Sequence, residues 1–388
     1  MIKKLTFIMV FLITIVVFPA ITRAMPNSST ILICALSSFA SYTGDPNELV
    51  LSMLDSRGWT IEPIHGKFKN TDVRAFVISK PDANLKIVSI CGTEDATDAM
   101  IDLRFGKIDY RDGLQVHRGF LNYSDDFLSL TRDTFFNDPT EKIILTGHSL
   151  GGAVAILSAA RLIDAGLPAE KIEVVTFGAP AVGEKNFADE FADKFKLTRF
   201  EMKNDPITKT LQPLGYTKFG EAVTWKPSTR KMLHSMSLYL DCAIRKFYDD
   251  PFSEMLSNKK TSQYKIRLSN VEIDSEMSRF EKDLPYVRAL LSDEIDSNNE
   301  NYDFSIDTHI QVLTNKDVDE DFVIYEEIIY DSNQNLVTMH SISTSLADLT
   351  FLETAGLLQE KLRENRDAIF EKSYSPRKKF FSVSSLDE

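Results

Sequence analysis

Between Trp59 and Asp205 the spacing of apolar positions changes period several times. "WTIEPIH" and "VRAFVISK" alternate in the manner of strands with one buried face. "LKIVSICGT", from Leu85, is a more continuous apolar run, as expected of a strand covered on both faces. "DDFLSLTRDTFF" has helical spacing. "EKIILTG" predicts a strand, and Leu150 to Ala165 a helix that Gly166 and Pro168 stop. "KIEVVTFGAP" is the next strand, ending at Gly178 and Pro180. "EKNFADEFADKF" is a second amphipathic helix, and "LTRFEMKND" a further strand. Residues 46–57 predict an earlier helix, with Pro46 near its start. Strands alternating with helices predict an α/β fold: a mostly parallel sheet covered by helices.

After about residue 250 the texture changes. "SDEIDSNNENYD", at 292–303, predicts a loop. "FSIDTHIQVL" alternates as a strand, and "DFVIYEEIIYDSNQNLVTMHSIS" predicts a hairpin turning at Asp331 to Asn335. "SLADLTFLETAGLLQEKLRENRDAIF" predicts a long helix, followed by a loose tail. The expectation is an α/β domain over 25–255 and a small appended α+β unit over 256–388, antiparallel strands plus a helix. No internal repeat is present.

The N-terminus reads "MIKKLTFIMVFLITIVVFPAITRAMPNSS". Two lysines, an apolar run, Pro19 and then Thr22-Arg23-Ala24 have the layout of a secretory signal peptide over 1–24. The run is short for a bilayer span, which needs roughly 20 residues. Export follows, to the periplasm or the medium; an uncleaved membrane anchor is the alternative. The chain has 388 residues, 43% hydrophobic and 26% charged, with a net charge of -13. That balance predicts a folded protein and argues against nucleic acid as a partner, because phosphates need an electropositive surface. Three cysteines, Cys34, Cys91 and Cys242, make no disulfide framework and have no zinc-ligand spacing, although one pair has the option of a bridge. Oligomeric state is not legible.

The predicted strand ending at Gly147 and the helix starting at Leu150 meet at Gly147-His148-Ser149-Leu150-Gly151. This is the G-x-S-x-G nucleophile elbow in its strand–turn–helix context. Such a turn pushes the serine hydroxyl outward and aims the helix N-terminal amides at a developing oxyanion. Ser149 needs a base and an orienting carboxylate. His234, His309 and His340 are the histidines that follow it. The last two fall on predicted strands of the appended unit, where packing or exposure suits them. Asp205, in "MKNDPITK", lies at the C-terminal end of a predicted parallel strand, the edge where such sheets place their sites. Asp189, Glu190 and Asp193 read as solvated helix charges, and Asp164 lies at the far end of the elbow helix. His148 and His117 read as packing and structural residues.

Six ordered blocks resemble the class 3 (fungal-type) lipases of the α/β-hydrolase superfamily. They are "VSICGTED", "VHRGF", "GHSLGGA", "TFGAPAVG", "NDPIT" and "HSMSLYL". The resemblance runs from about residue 30 to 248. It implies an α/β-hydrolase fold, with Ser149 as nucleophile, Asp205 as orienting acid and His234 as general base. It further implies an oxyanion hole from the backbone amides of Thr93 and Leu150. The chain has Ile90-Cys91 where that family usually has Phe-Arg; the glycine and threonine that follow remain, so the resemblance still implies the Thr93 donor, without the arginine's support. Residues 94–115 resemble the family's lid region, with Ala99, Met100, Ile101, Leu103 and Phe105 as an apolar face. A plain packed connector is the other reading of that segment. The expected activity is hydrolysis of lipid carboxylic esters through an acyl-serine, with no metal or cofactor. The alternatives are a phospholipase A1 or acyltransferase on the same residues, or a catalytically silent lipid-binding protein.

Overall fold

A computed structural model describes residues 25–42, 54, 58–68, 71–92, 106–137, 142–227, 233–251, 264–274, 280–294, 301–315, 320–346, 350–352 and 354–356. The proposed signal peptide at 1–24 lies outside these residues, as do most of the predicted helices at 46–57 and 345–370. The first helix is α1 (Ser28–Ala40), which the apolar pattern did not single out. Asn27 caps it by accepting the Thr30 N–H at 2.7 Å. Nearly every side chain of α1 is buried, so it has no polar stripe to betray its period.

The strands β1 (Thr60–Phe68), β2 (Thr71–Lys80) and β3 (Leu85–Ile90) follow as an antiparallel meander. A hairpin of β4 (Lys107–Arg111) and β5 (Leu114–His117) leads into α2 (Arg118–Phe136). Then come β6 (Lys142–His148), α3 (Leu150–Asp164), β7 (Ile172–Phe177), the short β8 (Gly183–Glu184) and α4 (Lys185–Phe191). The strands β9 (Lys196–Met202), β10 (Tyr216–Thr217) and β11 (Glu221–Trp225) complete this part, and α5 (Met236–Asp249) closes it. The main sheet has the order β1-β2-β3-β6-β7-β9-β11. From β3 to β11 all its pairings are parallel, as the alternating order predicts.

Alternation along the central strands builds two apolar layers. Ile143 and Leu145 of β6 face α2, α3 and α4, and Ile144 joins α1 and α5 on the other side. The small residues of α3, from Gly151 to Ala160, are all buried and let that helix lie close on the sheet. A second sheet of order β10-β8-β5-β4 sits beside the main one. It holds the 106–115 part of the lid-like segment as a hairpin, with buried Tyr110 packed edge-on against Phe187 and Phe191. Residues 93–105, with the apolar face proposed for a lid, lie outside the described residues.

The C-terminal part contains β12 (Ile266–Ile273), α6 (Leu284–Glu294), β13 (Phe304–Asn315), β14 (Glu320–Asp331) and β15 (Leu336–Ser345). The hairpin β14–β15 turns at Asp331–Asn335 as expected, with Asp331 Oδ1 accepting the Asn333 and Asn335 N–H groups. The sheet is not wholly antiparallel, however: β12 runs parallel to β13. The helix α6 between them makes a crossover, and a crossover is what a parallel pairing requires. Neither β12 nor α6 was foreseen, and α6 takes in residues 292–294 of the expected loop. Val271, Val287, Leu290, Ile310 and Tyr325 of this part belong to the same apolar cluster as α1 and α5.

Candidate active site

The bend between β6 and α3 carries Ser149 at φ +56° and ψ −124°, a conformation side-chain-bearing residues avoid. Two bonds hold it: Ser149 N–H donates to Phe177 O of β7 at 2.9 Å, and Ala153 N–H to Ser149 O at 3.2 Å. The crossing is too tight for side chains. A Cβ at Gly147 would lie 2.5 Å from the Gly151 carbonyl carbon, and one at Gly151 would lie 2.1 Å from Ile90 O. The two glycines of the motif are therefore steric requirements of a strand and helix meeting beside β3.

Ser149 occupies the N-cap of α3, where a serine ordinarily accepts a first-turn amide. Its hydroxyl makes no such cap. It lies instead 2.8 Å from His234 Nε2. His234 Nδ1 in turn lies 2.8 Å from Asp205 Oδ2. Asp205 follows the C-terminal end of β9 and is 1% exposed. Its Oδ1 accepts the Ile207 N–H at 2.9 Å, and its Oδ2 also accepts the Tyr239 hydroxyl at 2.7 Å. The carboxylate can only accept, so His234 carries its proton on Nδ1 and presents the Nε2 lone pair to the Ser149 hydroxyl. That arrangement is able to make the hydroxyl nucleophilic.

Ser149, Asp205 and His234 come from three separate segments and meet at the C-terminal ends of β6 and β9. Leu150 is the first residue of α3, so its N–H has no intrahelical partner. Thr93 lies outside the described residues, which stop at Gly92 beside the elbow. His309 and His340 stand on the separate C-terminal sheet, in β13 and β15. Asp164, at the end of α3, pairs with Arg111 and Tyr110. Asp189 and Glu190 pair with Lys185 and Arg111. His117 caps α2, its Nδ1 accepting the Phe120 N–H. All three cysteines are free.

The sequence reading passed over Tyr239. It lies five residues after His234 on the buried face of α5, and its hydroxyl bridges Met202 N–H and Asp205. Burial, and then Asp205, push its phenol well above the ordinary range, so it remains a donor. A tyrosine among Leu238 and Leu240 is a legible signal, because a buried phenol needs a polar partner.

Residues 87–214 match the family described as Lipase (class 3). A lipase of Rhizopus niveus is 31% identical over 126 residues, 30% of this chain and 32% of that protein. The secreted mono- and diacylglycerol lipase 1 of Fusarium solani is 32% identical over 125 residues, 31% of this chain and 37% of that protein. Toxin TseL of Vibrio cholerae is 32% identical over 151 residues, 36% of this chain and 23% of the toxin. The matches thus span about a quarter to two fifths of these relatives' length. Among solved structures, lipase II from Rhizopus niveus aligns with a TM-score of 0.46 at 20% identity, covering 59% of this chain and 92% of that one.

Proposed function

We propose that this chain, whose residues 87–214 match the class 3 lipase family, is an exported hydrolase of lipid carboxylic esters that works through an acyl-serine. The observation that carries the reading is the unbroken relay from Asp205 through His234 to Ser149, each link 2.8 Å long. Ser149 Oγ attacks the ester carbonyl carbon while His234 Nε2 takes the hydroxyl proton. The carbonyl oxygen becomes an oxyanion, held by the Leu150 N–H and, on the family resemblance, by the Thr93 N–H. The tetrahedral intermediate collapses, the C–O bond to the alcohol breaks, and His234 returns the proton to the leaving alcohol. Water then attacks the acyl-serine, again losing its proton to His234, and the acid departs with Ser149 restored. The exchange needs no cofactor.

Lipid as the substrate class is supported by the names of the relatives, a lipase and a mono- and diacylglycerol lipase. Export is supported by the N-terminal pattern and by the description of one relative as secreted. Among the described residues no helix is long and apolar enough to cross a membrane. The 25–255 segment is the hydrolase unit, and described residues of the C-terminal part such as Val271, Val287 and Ile310 share its apolar layer with α1 and α5. The test is turnover of short-chain, long-chain and phospholipid esters by the native protein and by Ser149→Ala. The variant is expected to lose at least about a thousandfold, more than loss of one oxyanion donor costs. Equal turnover by both proteins overturns the reading. Labelling of Ser149 by a serine-directed phosphonate tests the nucleophile directly.

A further inference from the structure

Behind the Ser149–His234–Asp205 relay lies a second polar pair that the mechanism above does not use. Tyr42, two residues beyond α1, places its hydroxyl 2.5 Å from His148 Nδ1. The His148 ring lies against the His234 ring, centroids 4.6 Å apart and planes 35° apart. Tyr239 flanks His148 at 5.6 Å. His148 and His234 thus rest on each other, while Tyr42 holds the outer edge of the stack.

We infer that Tyr42 and His148 form a positioning pair for the reaction: Tyr42 fixes the His148 tautomer, and the uncharged His148 ring is the face on which His234 is held. The inference rests on the reading of Ser149 and His234 as nucleophile and base.

Donor accounting sets the direction of the Tyr42–His148 bond. Among the described residues, buried His148 Nε2 makes no well-formed hydrogen bond, although a backbone group of His234 interacts with this ring. With Tyr42 donating to Nδ1, one N–H at Nε2 is left over. With Nδ1–H donating to Tyr42, both the phenol proton and the Nε2 lone pair are left over. Unmade bonds on buried groups are costly, so Tyr42 donates and the imidazole proton sits on Nε2. The two stacked imidazoles therefore carry opposite tautomers.

Electrostatics agree with an uncharged pair. Burial, and then the adjacent His234, hold His148 well below the usual imidazole range. Burial pushes the Tyr42 phenol well above its own. When His234 takes the Ser149 proton it becomes a cation, and a neutral neighbour at this separation does not oppose it. The packing also ties Tyr42 to the strand end. A Cβ at Gly92 would fall 2.4 Å from Tyr42 Oη and 2.7 Å from His148 O. Only glycine at 92 leaves room for the phenol to reach His148.

The test uses the full chain with 15N-labelled histidine. His148 is expected to stay neutral, protonated on Nε2, between about pH 5 and pH 8, across the range where an ordinary histidine titrates. The Tyr42→Phe variant is expected to lose the single fixed tautomer. On a soluble nitrophenyl ester, Tyr42→Phe is expected to lower kcat about fivefold with KM unchanged, the scale of one net hydrogen bond. In a His148→Phe background, whose ring has no acceptor, the same change is expected to alter kcat by less than about twofold. A purely structural Tyr42 would cost the same in both backgrounds, and that result overturns the inference. So does a native His148 that titrates in this range or carries its proton on Nδ1. The spectrum of the native protein decides the matter should Tyr42→Phe fail to fold. Full activity in Ser149→Ala would instead overturn the functional reading, leaving the spectrum to test the pair alone.

Discussion

Single atoms decide whether Ser149 is poised. Removing the Tyr239 hydroxyl leaves Asp205 Oδ2 with one donor fewer and the Met202 N–H without its acceptor. Tyr239→Phe is therefore expected to cost about 1 kcal/mol of stability and to lower kcat severalfold, read from urea unfolding and steady-state kinetics. Gly151→Ala meets a backbone oxygen that cannot swing aside. It is expected to lower stability by about 2–3 kcal/mol, the scale of overpacking, and to depress the melting temperature. His148 adds a pH term. Its folded form binds a proton less readily than the unfolded chain, because burial and His234 disfavour the charge. Its contribution to stability is complete above the unfolded value near pH 6.5 and is lost as the pH falls below it. The loss approaches about 1.4 kcal/mol per pH unit, and the slope is expected to flatten in His148→Phe. Unfolding midpoints measured across that window check the sign.

Helix α5 is the element on which the site depends most. It follows His234, carries Tyr239, and packs against α1 in the same apolar layer. Its far end is clamped to the C-terminal part. Arg245 bonds Asp241 through Nε and through one terminal nitrogen, and that nitrogen also reaches Asp283 Oδ1 at 2.8 Å. The guanidinium lies over the Tyr286 ring, and Tyr286 bonds Asp249. Asp241 and Asp283 are buried, so removing the cation leaves two carboxylates with their principal donor gone. Arg245→Met is expected to lower stability by about 2–3 kcal/mol, measured as a shift in the urea midpoint at unchanged slope. The elements nearest the relay, β6, α3, β7 and β9, were the ones the pattern predicted. Their buried strands are continuous apolar runs, and the helix between them is punctuated by glycine and proline. By contrast α1 is buried on nearly every side, serines included, and β11 is a short edge strand of mixed character. Periodicity has nothing to grip in either.

At the scale of the whole molecule, the apolar layer under α1 and α5 continues without a break into β12, α6, β13 and β14. Residues such as Val287, Leu291, Ile310 and Tyr325 are at most 1% exposed within it. Ending the chain at residue 263 would uncover the facing side chains of α1 and α5. The shortened protein is expected to be recovered mainly in the insoluble fraction, and any soluble portion to unfold at a markedly lower temperature. Comparison of soluble yield and melting temperature with the full chain tests this. Full solubility at an unchanged melting temperature would mean that the shared layer contributes nothing to the fold.

The order of strands and helices, the elbow at Ser149 and the three candidate side chains were legible in the chain itself. Each is written in local signals: apolar period, glycine at a steric crossing, an aspartate ending a strand. What joins them is not local. Asp205 and His234 reach Ser149 because parallel strands in one register bring their C-terminal ends to the same rim. Tyr42, 107 residues before Ser149 in the numbering, reaches His148 only because α1 packs on that sheet. The same holds for the parallel pairing of β12 and for the Arg245 clamp. Both are consequences of which surfaces meet, and contact across long chain separations leaves no period to read.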